Sequence, residues 1–402
     1  MKKFNYEARD KATNETIHSM VQADSESAAA KVLIEQGLMP LNIAEIDENG
    51  SIIGKVTNRI TTKDRIVFLR QLATLIGAGL PLSQSLRTVL EQTENKKMQR
   101  VVEEIIASVE GGHTLSDAFG KHPDVFDHVV LALVSAGEAS GTLDDALKRV
   151  AIQKEKDAAM ISKIRGAMVY PGIVLGVIVG VMIFMLLTVV PQVSKLYEDM
   201  KKTLPLLTQI MVSTAEILVN FWWAVLLVIG IAIYFTRQYL RTESGIKMKD
   251  TLKLNVPIFS GMFRKLYMAR FTRTGQTLLA TGVAMLDMLR ISSESVNNTI
   301  ISASIDRAAD KVKGGKALSM SLKSEDYILP MVPQMIKIGE QSGKIDEMMG
   351  KTAQVYEDEL DEEIRAISTA IEPILMVVLA VFAGGMVGAI LFPIYSLVGG
   401  IN

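Results

Sequence analysis

The chain has 402 residues, 49% of them hydrophobic, and 43 Lys plus Arg stand against 44 Asp plus Glu. So even a balance leaves no bulk positive field for nucleic acid, and the length leaves room for several domains. There is no cysteine, which excludes disulfides, thiolate catalysis and cysteine-based metal sites.

The start, MKKFNYEARDK, carries two lysines before Phe4 with no apolar stretch behind them. It does not read as a secretory signal peptide, and the N-terminus is expected in the cytoplasm. Residues 1–46 predict a small α/β unit. Phe4, Tyr6 and Ala8 alternate, turn residues fill Asp10 to Asn14, and Thr16 to Val21 completes a hairpin. A helix capped at Asp24-Ser25-Glu26 runs to Gln36, with Gly37 as its stop, before a last strand over Leu41, Ile43 and Ile46. Residues 47–62 are polar, contain Gly50 and Gly54, and read as a linker.

Every signal over 63–165 is helical and predicts a bundle of six short helices. Ile66, Leu69, Ala73 and Ile76 recur at helical spacing, and Gly77 and Gly79 end that helix. Pro81 opens the second. A third carries Met98, Val101, Val102, Ile105, Ile106 and Val109 on one face and stops at Gly111-Gly112. Thr114-x-x-Asp117 is a capping-box pattern for the fourth. Pro123 opens the fifth, which ends at Gly137, and Thr142-x-x-Asp145 starts the sixth.

The sixth helix runs into Gly166 to Ser194, 29 residues without a charge. A bilayer core needs about 20 apolar residues, so 166–192 is read as a first transmembrane helix. Residues 193–216 form a short loop beyond it. Ile217 to Thr236 is uncharged and supplies a second span over 217–236, with Trp222 and Trp223 at the outer interface.

The remainder repeats the plan. Phe68, Arg70, Leu75, Gly79 and Leu86 recur 203 residues later as Phe271, Arg273, Leu278, Gly282 and Leu289. Gly137-Glu138-x-Ser140-Gly141 recurs at 202 as Gly339-Glu340-x-Ser342-Gly343, and Pro171 and Pro191 recur as Pro373 and Pro393. Residues 237–369 are therefore a linker and second bundle, and 370–397 a third span. The expected fold is a mainly α membrane protein: a duplicated six-helix cytoplasmic bundle plus transmembrane helix, three transmembrane helices in total, and the small α/β unit. Lys and Arg cluster before the first span and after the second, so the positive-inside rule puts both bundles in the cytoplasm and the C-terminus outside.

These residues carry a family resemblance. FLRQLATLIGAGLPL (Phe68 to Leu82), the paired GExSG motifs, Lys163-Ile164-x-x-Ala167-Met168-x-Tyr170-Pro171 and Val189-Val190-Pro191 resemble the inner-membrane platform proteins of type IV pilus assembly and type II secretion. The second copy departs from the pattern at Ala284, where the first has Pro81, and at Lys344, where the first has Thr142. The resemblance implies a non-enzymatic scaffold in the cell inner membrane. Its implied partners are a hexameric assembly ATPase, pilins, other pilus-machine membrane proteins and a second copy of itself, a dimer being favoured. No cofactor and no metal are implied, and no GxxxxGK[ST] nucleotide loop occurs in the chain.

Candidate partner-binding residues are Glu138, Ser140 and Gly141 with Glu340, Ser342 and Gly343; against that stands a reading as tight turns whose glycines supply left-handed backbone. Gly172, Gly176 and Gly180 share one helix face and are candidate packing residues, since small side chains let membrane helices approach. His113, His122 and His128 lie near acids but without ligand spacing. Glu357 to Glu363, EDELDEE, reads as a solvated helix face. A transporter or channel built from the duplicated unit is the alternative function, opposed by spans that contain no charge past their ends.

Overall fold

The computed structural model describes residues 2–10, 16–23, 26–35, 38–46, 59–199 and 206–398. Expectations for the hairpin turn at 11–15, the cap at 24–25, the stop at Gly37 and most of the linker fall outside those residues. The chain divides into two compact units, residues 1–64 with 90–103 and residues 65–89 with 104–402.

The first unit contains strands β1 (Lys2–Asp10), β2 (Thr16–Ala23) and β3 (Leu38–Ile46) in the order β2-β1-β3. Both pairings are antiparallel, and the β1–β3 register shifts between Glu7 and Ala8. Helix α1 (Glu26–Glu35) buries Leu33 fully. In the same unit Asn95 works in two directions. Its Oδ1 accepts from the Lys97 and Met98 amides, and its Nδ2 donates to the Arg59 carbonyl and the Asp64 carboxylate, both at 3.0 Å.

The helices follow as α2 (Thr62–Gly77), α3 (Leu82–Gln92), α4 (Lys96–Glu110), α5 (Leu115–Gly120), α6 (His128–Ser140) and α7 (Leu143–Asp199). After α8 (Leu206–Asn220), α9 (Trp222–Tyr239) and α10 (Glu243–Asn255) comes the second series. It consists of α11 (Ser260–Ala280), α12 (Met285–Ser295), α13 (Thr299–Lys313), α14 (Leu318–Lys323), α15 (Met331–Ser342) and α16 (Ile345–Val398). The duplication is thus present in the backbone, and left-handed glycines mark it. Gly79, Gly112 and Gly141 have positive φ, as do Gly282, Gly315 and Gly343. Each pair ends the same helix in its copy.

The hydrophobic core of the second unit is aromatic where the first copy supplies it. Phe119 and Phe126 stack at 4.0 Å between ring centroids, and Phe68 lies 6.0 and 5.8 Å from them. At the repeat offset, Phe271 and Leu322 are fully buried.

Several boundaries differ from expectation, each for a local reason. The fifth helix begins at His128, not Pro123, because the Asp127 carboxylate caps it by accepting from the Val130 amide at 3.2 Å. It also passes through Gly137 and ends on the left-handed Gly141 (φ 72°). Gly137 and Gly339 are helical, and their role is close approach. A Cβ on Gly137 would sit 2.5 Å from the Ala146 Cβ, and one on Gly339 would sit 2.7 Å from the Ile345 Cα.

Among the described residues three helices are long and apolar enough to cross a membrane: α7, α9 and α16. The chain is a multi-pass membrane protein. α7 is continuous for 57 residues, roughly 85 Å at about 1.5 Å per residue, so the pre-membrane helix and the span are one rod. Its Pro171 and Pro191 lie inside; proline costs an internal hydrogen bond in any helix, a defect that membrane helices tolerate. Val169, Ile173, Val177 and Phe184 are exposed on it, and hydrocarbon is the solvent that suits such a surface. Most of the loop expected over 193–216 is helical too. Ala215 and Val212 of α8 pack on Leu186, Val190 and Met182 of α7. The second apolar run breaks at Phe221 (φ −121°, ψ 25°), so α9 begins at Trp222 and ends three residues beyond Thr236.

The glycine geometry makes a prediction. Gly137→Ala and Gly339→Ala should each destabilise the protein by about 1–3 kcal/mol through overpacking. Gly120→Ala, whose Cβ would meet nothing within 4 Å, should not. Thermal unfolding of the three purified variants in detergent checks this.

Candidate functional site

Two features built from equivalent residues of both copies stand out: the GExSG turns, and the charged seam that joins the copies.

At the first turn the Glu138 carboxylate accepts from the Leu115 amide at 2.5 Å and the Ser116 amide at 3.0 Å. Those amides are the unpaired donors at the start of α5, where a negative charge also meets the positive end of the helix dipole. Thr114 assists by accepting from the Asp117 amide at 3.1 Å. At the second turn Glu340 accepts from the Ser319 amide at 3.1 Å and the Ser319 hydroxyl at 2.5 Å. Here the N-cap of α14 is Ala317, which offers no side-chain cap. Ser140 and Ser342 donate back to carbonyls of their own helices, at Ala136 and Ile338. The six motif residues thus come together as two copies of one device, in which a glycine ends a helix and a glutamate ties it to the start of another. Both carboxylates are half-buried and engaged.

The seam lies between α7, α11 and α16. Arg70 pairs with Glu155, and at the repeat offset Arg273 pairs with Glu357 at 2.7 Å, so each copy bridges its first helix to its last in the same way. Across the copies Lys156 reaches Glu357 at 2.8 Å, Lys163 reaches Asp361 at 2.5 Å, and Arg270 lies 3.6 Å from Asp157. Lys265 adds Glu363 at 2.6 Å. The buried Gln153 donates to Thr274 at 2.8 Å. The acidic run Glu357 to Glu363 is therefore divided: Glu357, 12% exposed, and Asp361, 28%, face the seam, while Asp358 and Glu362 stay exposed as a solvated face. No signal inside either segment announces the pairing, because the partners lie about two hundred positions apart.

Burial shapes the titration of this region. Burial pushes the Asp157 carboxyl up, against the pull of the Arg270 guanidinium. Burial also works against the Lys265 ammonium, but the Glu363 and Glu359 carboxylates outweigh it and hold its pKa above the usual lysine value. In the second copy burial opposes ionisation of Glu325, yet its bonds from Lys311 and Arg307 hold the carboxyl below the usual range. The equivalent place in the first copy has opposite polarity, with His122 lying 3.5 Å from Glu104.

The other sequence candidates are placed plainly. Added Cβ atoms on Gly172, Gly176 and Gly180 would meet nothing within 4 Å, so that face contacts no described residue of its own chain. Among the described residues no group of three or more His, Asp or Glu could hold a metal. His128 instead faces Glu294 at 3.7 Å.

Fold and repeat together define a membrane protein built from a duplicated helical unit. The family described as "Type II secretion system (T2SS), protein F" matches residues 68–191 and again 271–393, and its N-terminal domain matches 1–44. The chain is 36% identical to the type IV pilus assembly protein PilC of Thermus thermophilus over 405 residues, covering 98% of each. It is 37% identical to PilC of Pseudomonas aeruginosa, covering 91% of this chain and 97% of that one. The type II secretion system protein F of Xanthomonas campestris is 34% identical over 99% of both chains. This chain belongs to the type II secretion system protein F family.

The turns carry a prediction that separates the copies. Glu340→Gln should cost about 1–2 kcal/mol, since α14 has no other side-chain cap, and Glu138→Gln about half that, because Thr114 remains. Thermal unfolding ranks the two, and equal losses would show that Thr114 contributes nothing.

Proposed function

We propose that the chain is the inner-membrane platform of a type IV pilus or type II secretion-like machine. In this reading it is a scaffold without enzymatic activity of its own. It passes movement of a hexameric cytoplasmic ATPase to pilin-like subunits that leave the bilayer. The observation that carries the reading is the near full-length similarity to proteins named for pilus assembly and for type II secretion. The absence of a phosphate-binding GxxxxGK[ST] loop in the sequence fits a machine part driven by a separate motor.

The geometry supports a route for the movement. α7 is one helix from the first copy into the membrane, and the seam clamps it to α16, which enters the membrane from the second. A push on either copy moves both spans. The turns at Gly137 to Gly141 and Gly339 to Gly343 remain the candidate ATPase contacts, through their exposed backbone shape rather than through free carboxylates. Orientation follows from the lysines and arginines flanking the spans, which favour a cytoplasmic N-terminus and an extracytoplasmic C-terminus. The open Gly172, Gly176 and Gly180 face suits a second copy.

The test is genetic and biochemical together. Cells lacking the chain should lose surface fibres or secretion, and intact fibres and secretion would overturn the reading. In the complemented strain, Lys163→Asp should reduce fibre assembly or secretion several-fold, and adding Asp361→Lys should restore it. An exposed pair is worth at most about 1 kcal/mol, so protein levels should stay constant. Reduced co-purification of the ATPase in cells expressing bundle-surface variants would then locate its contact.

A further inference from the structure

A cleft of about 920 Å³ in the second unit lies where the first two spans meet the second copy. Arg165, the last charge before the first uncharged run, lines it beside Arg241, which follows α9. Lys249 and Lys253 of α10 and Arg270 of α11 complete its cations. Ile161, Ile164, Leu240 and Leu266 give it an apolar wall continuous with the spans.

Two carboxylates also line the cleft, and Asp250 is occupied. Asp250 is 6% exposed, accepts from the Thr299 amide at 2.9 Å and its hydroxyl at 3.1 Å, and lies 3.6 Å from Lys253. Glu294, half exposed and 3.7 Å from the His128 ring, leaves one negative charge at the rim. Arg270 has Asp157 near it. Among the described residues Arg165, Arg241 and Lys249 have no ion-pair partner, so the cleft keeps a positive excess. Asn298 also lines the cleft and is 2% exposed. Its Oδ1 caps α13, accepting from the Ile300 and Ile301 amides at 3.0 and 3.1 Å. Its Nδ2 is shut off from solvent beside the Tyr267 hydroxyl.

We propose that this cleft holds the phosphate headgroup of an anionic membrane lipid, with phosphatidylglycerol as the simplest occupant. The phosphate oxygens face Arg165, Arg241 and Lys249, while the acyl chains leave along Ile161 and Ile164 beside the first span. Basic pockets between membrane helices recognise lipid headgroups in this way. A soluble phosphate compound would satisfy the cations equally well, but it would leave the apolar wall beside the bilayer uncovered. One consequence is that bound lipid would tie α7, α10 and α11 together at the membrane surface. The inference does not depend on which machine the chain serves.

Native mass spectrometry of the full chain in detergent tests it, with phosphatidylglycerol, phosphatidylcholine and glycerol 3-phosphate as separate probes. The wild type should retain one phosphatidylglycerol in preference to phosphatidylcholine. Each cation near the surface contributes about 1 kcal/mol, about fivefold. Lys249→Gln should therefore weaken retention roughly fivefold, and Arg165→Gln with Arg241→Gln roughly twenty-five-fold. Lys316→Gln with Lys323→Gln, exposed lysines away from the cleft, should change nothing. The single Lys249→Gln variant removes only an exposed charge, so it serves if the double variant fails to fold. Unchanged retention in Lys249→Gln, equal retention of phosphatidylcholine, or displacement by glycerol 3-phosphate at equal concentration would each overturn the proposal.

Discussion

The seam of opposite charges between α7 and α16 is the constraint on which the rest of the second unit depends. Each of those helices carries a copy of the bundle at one end and an uncharged span at the other. The buried Gln153–Thr274 bond and Arg270 beside Asp157 join α7 to α11, and a second lateral tie joins it to α16. Lys156 with Glu357 and Lys163 with Asp361 supply the tie along more than one turn, just before both spans begin. The pairs differ in weight. Lys163 and Asp361 are partly exposed and contribute little to stability. Glu357 is largely buried between Lys156 and Arg273, so loss of either cation would leave a poorly solvated carboxylate.

The duplication explains why the seam is possible. Arg70 with Glu155 and Arg273 with Glu357 are the same internal bridge made twice. In the second copy, Glu357 also accepts a cation from the first copy's α7. One side chain thereby joins a repeated intra-copy contact to a contact between copies. The GExSG device is equally repeated, yet its two versions rely on different helpers, Thr114 in one and Ser319 in the other. Arg307 and Lys311 with Glu325, against Glu104 with His122, show the same site carrying opposite polarity. The copies have kept the fold's turns while their surfaces diverged.

Much of this was legible in the sequence, because it rests on local signals. Uncharged runs gave the spans, and glycines recurring at an offset of 203 and then 202 gave the repeat; three pairs of them occupy left-handed backbone in both copies. Candidate site residues were harder to read. Glu138 and Glu340 were identifiable as repeated, but a residue's neighbours in sequence do not reveal which amides its carboxylate will reach. The seam side of the acidic run, Glu357 and Asp361, was hidden for the same reason: its cations sit on α7 and α11, far away along the chain. Gly137 was visible as a glycine but not as a contact, since its neighbour Ala146 approaches only once the turn has folded back. The helix over 206–220 was missed because its apolar stripe is short and follows a charged segment, and its order comes from packing on Leu186 and Val190.

The account stands on α7 and α16 being clamped within one chain. Because the protein has no cysteine, a Lys163→Cys and Asp361→Cys variant carries only the two intended thiols. Treatment in native membranes with a short bismaleimide should give an intramolecular cross-link, seen as a mobility shift of the monomer independent of expression level. Mixed expression of the two single variants should give no dimer through these positions. Absence of the intramolecular product, or cross-linking only between chains, would contradict the clamp.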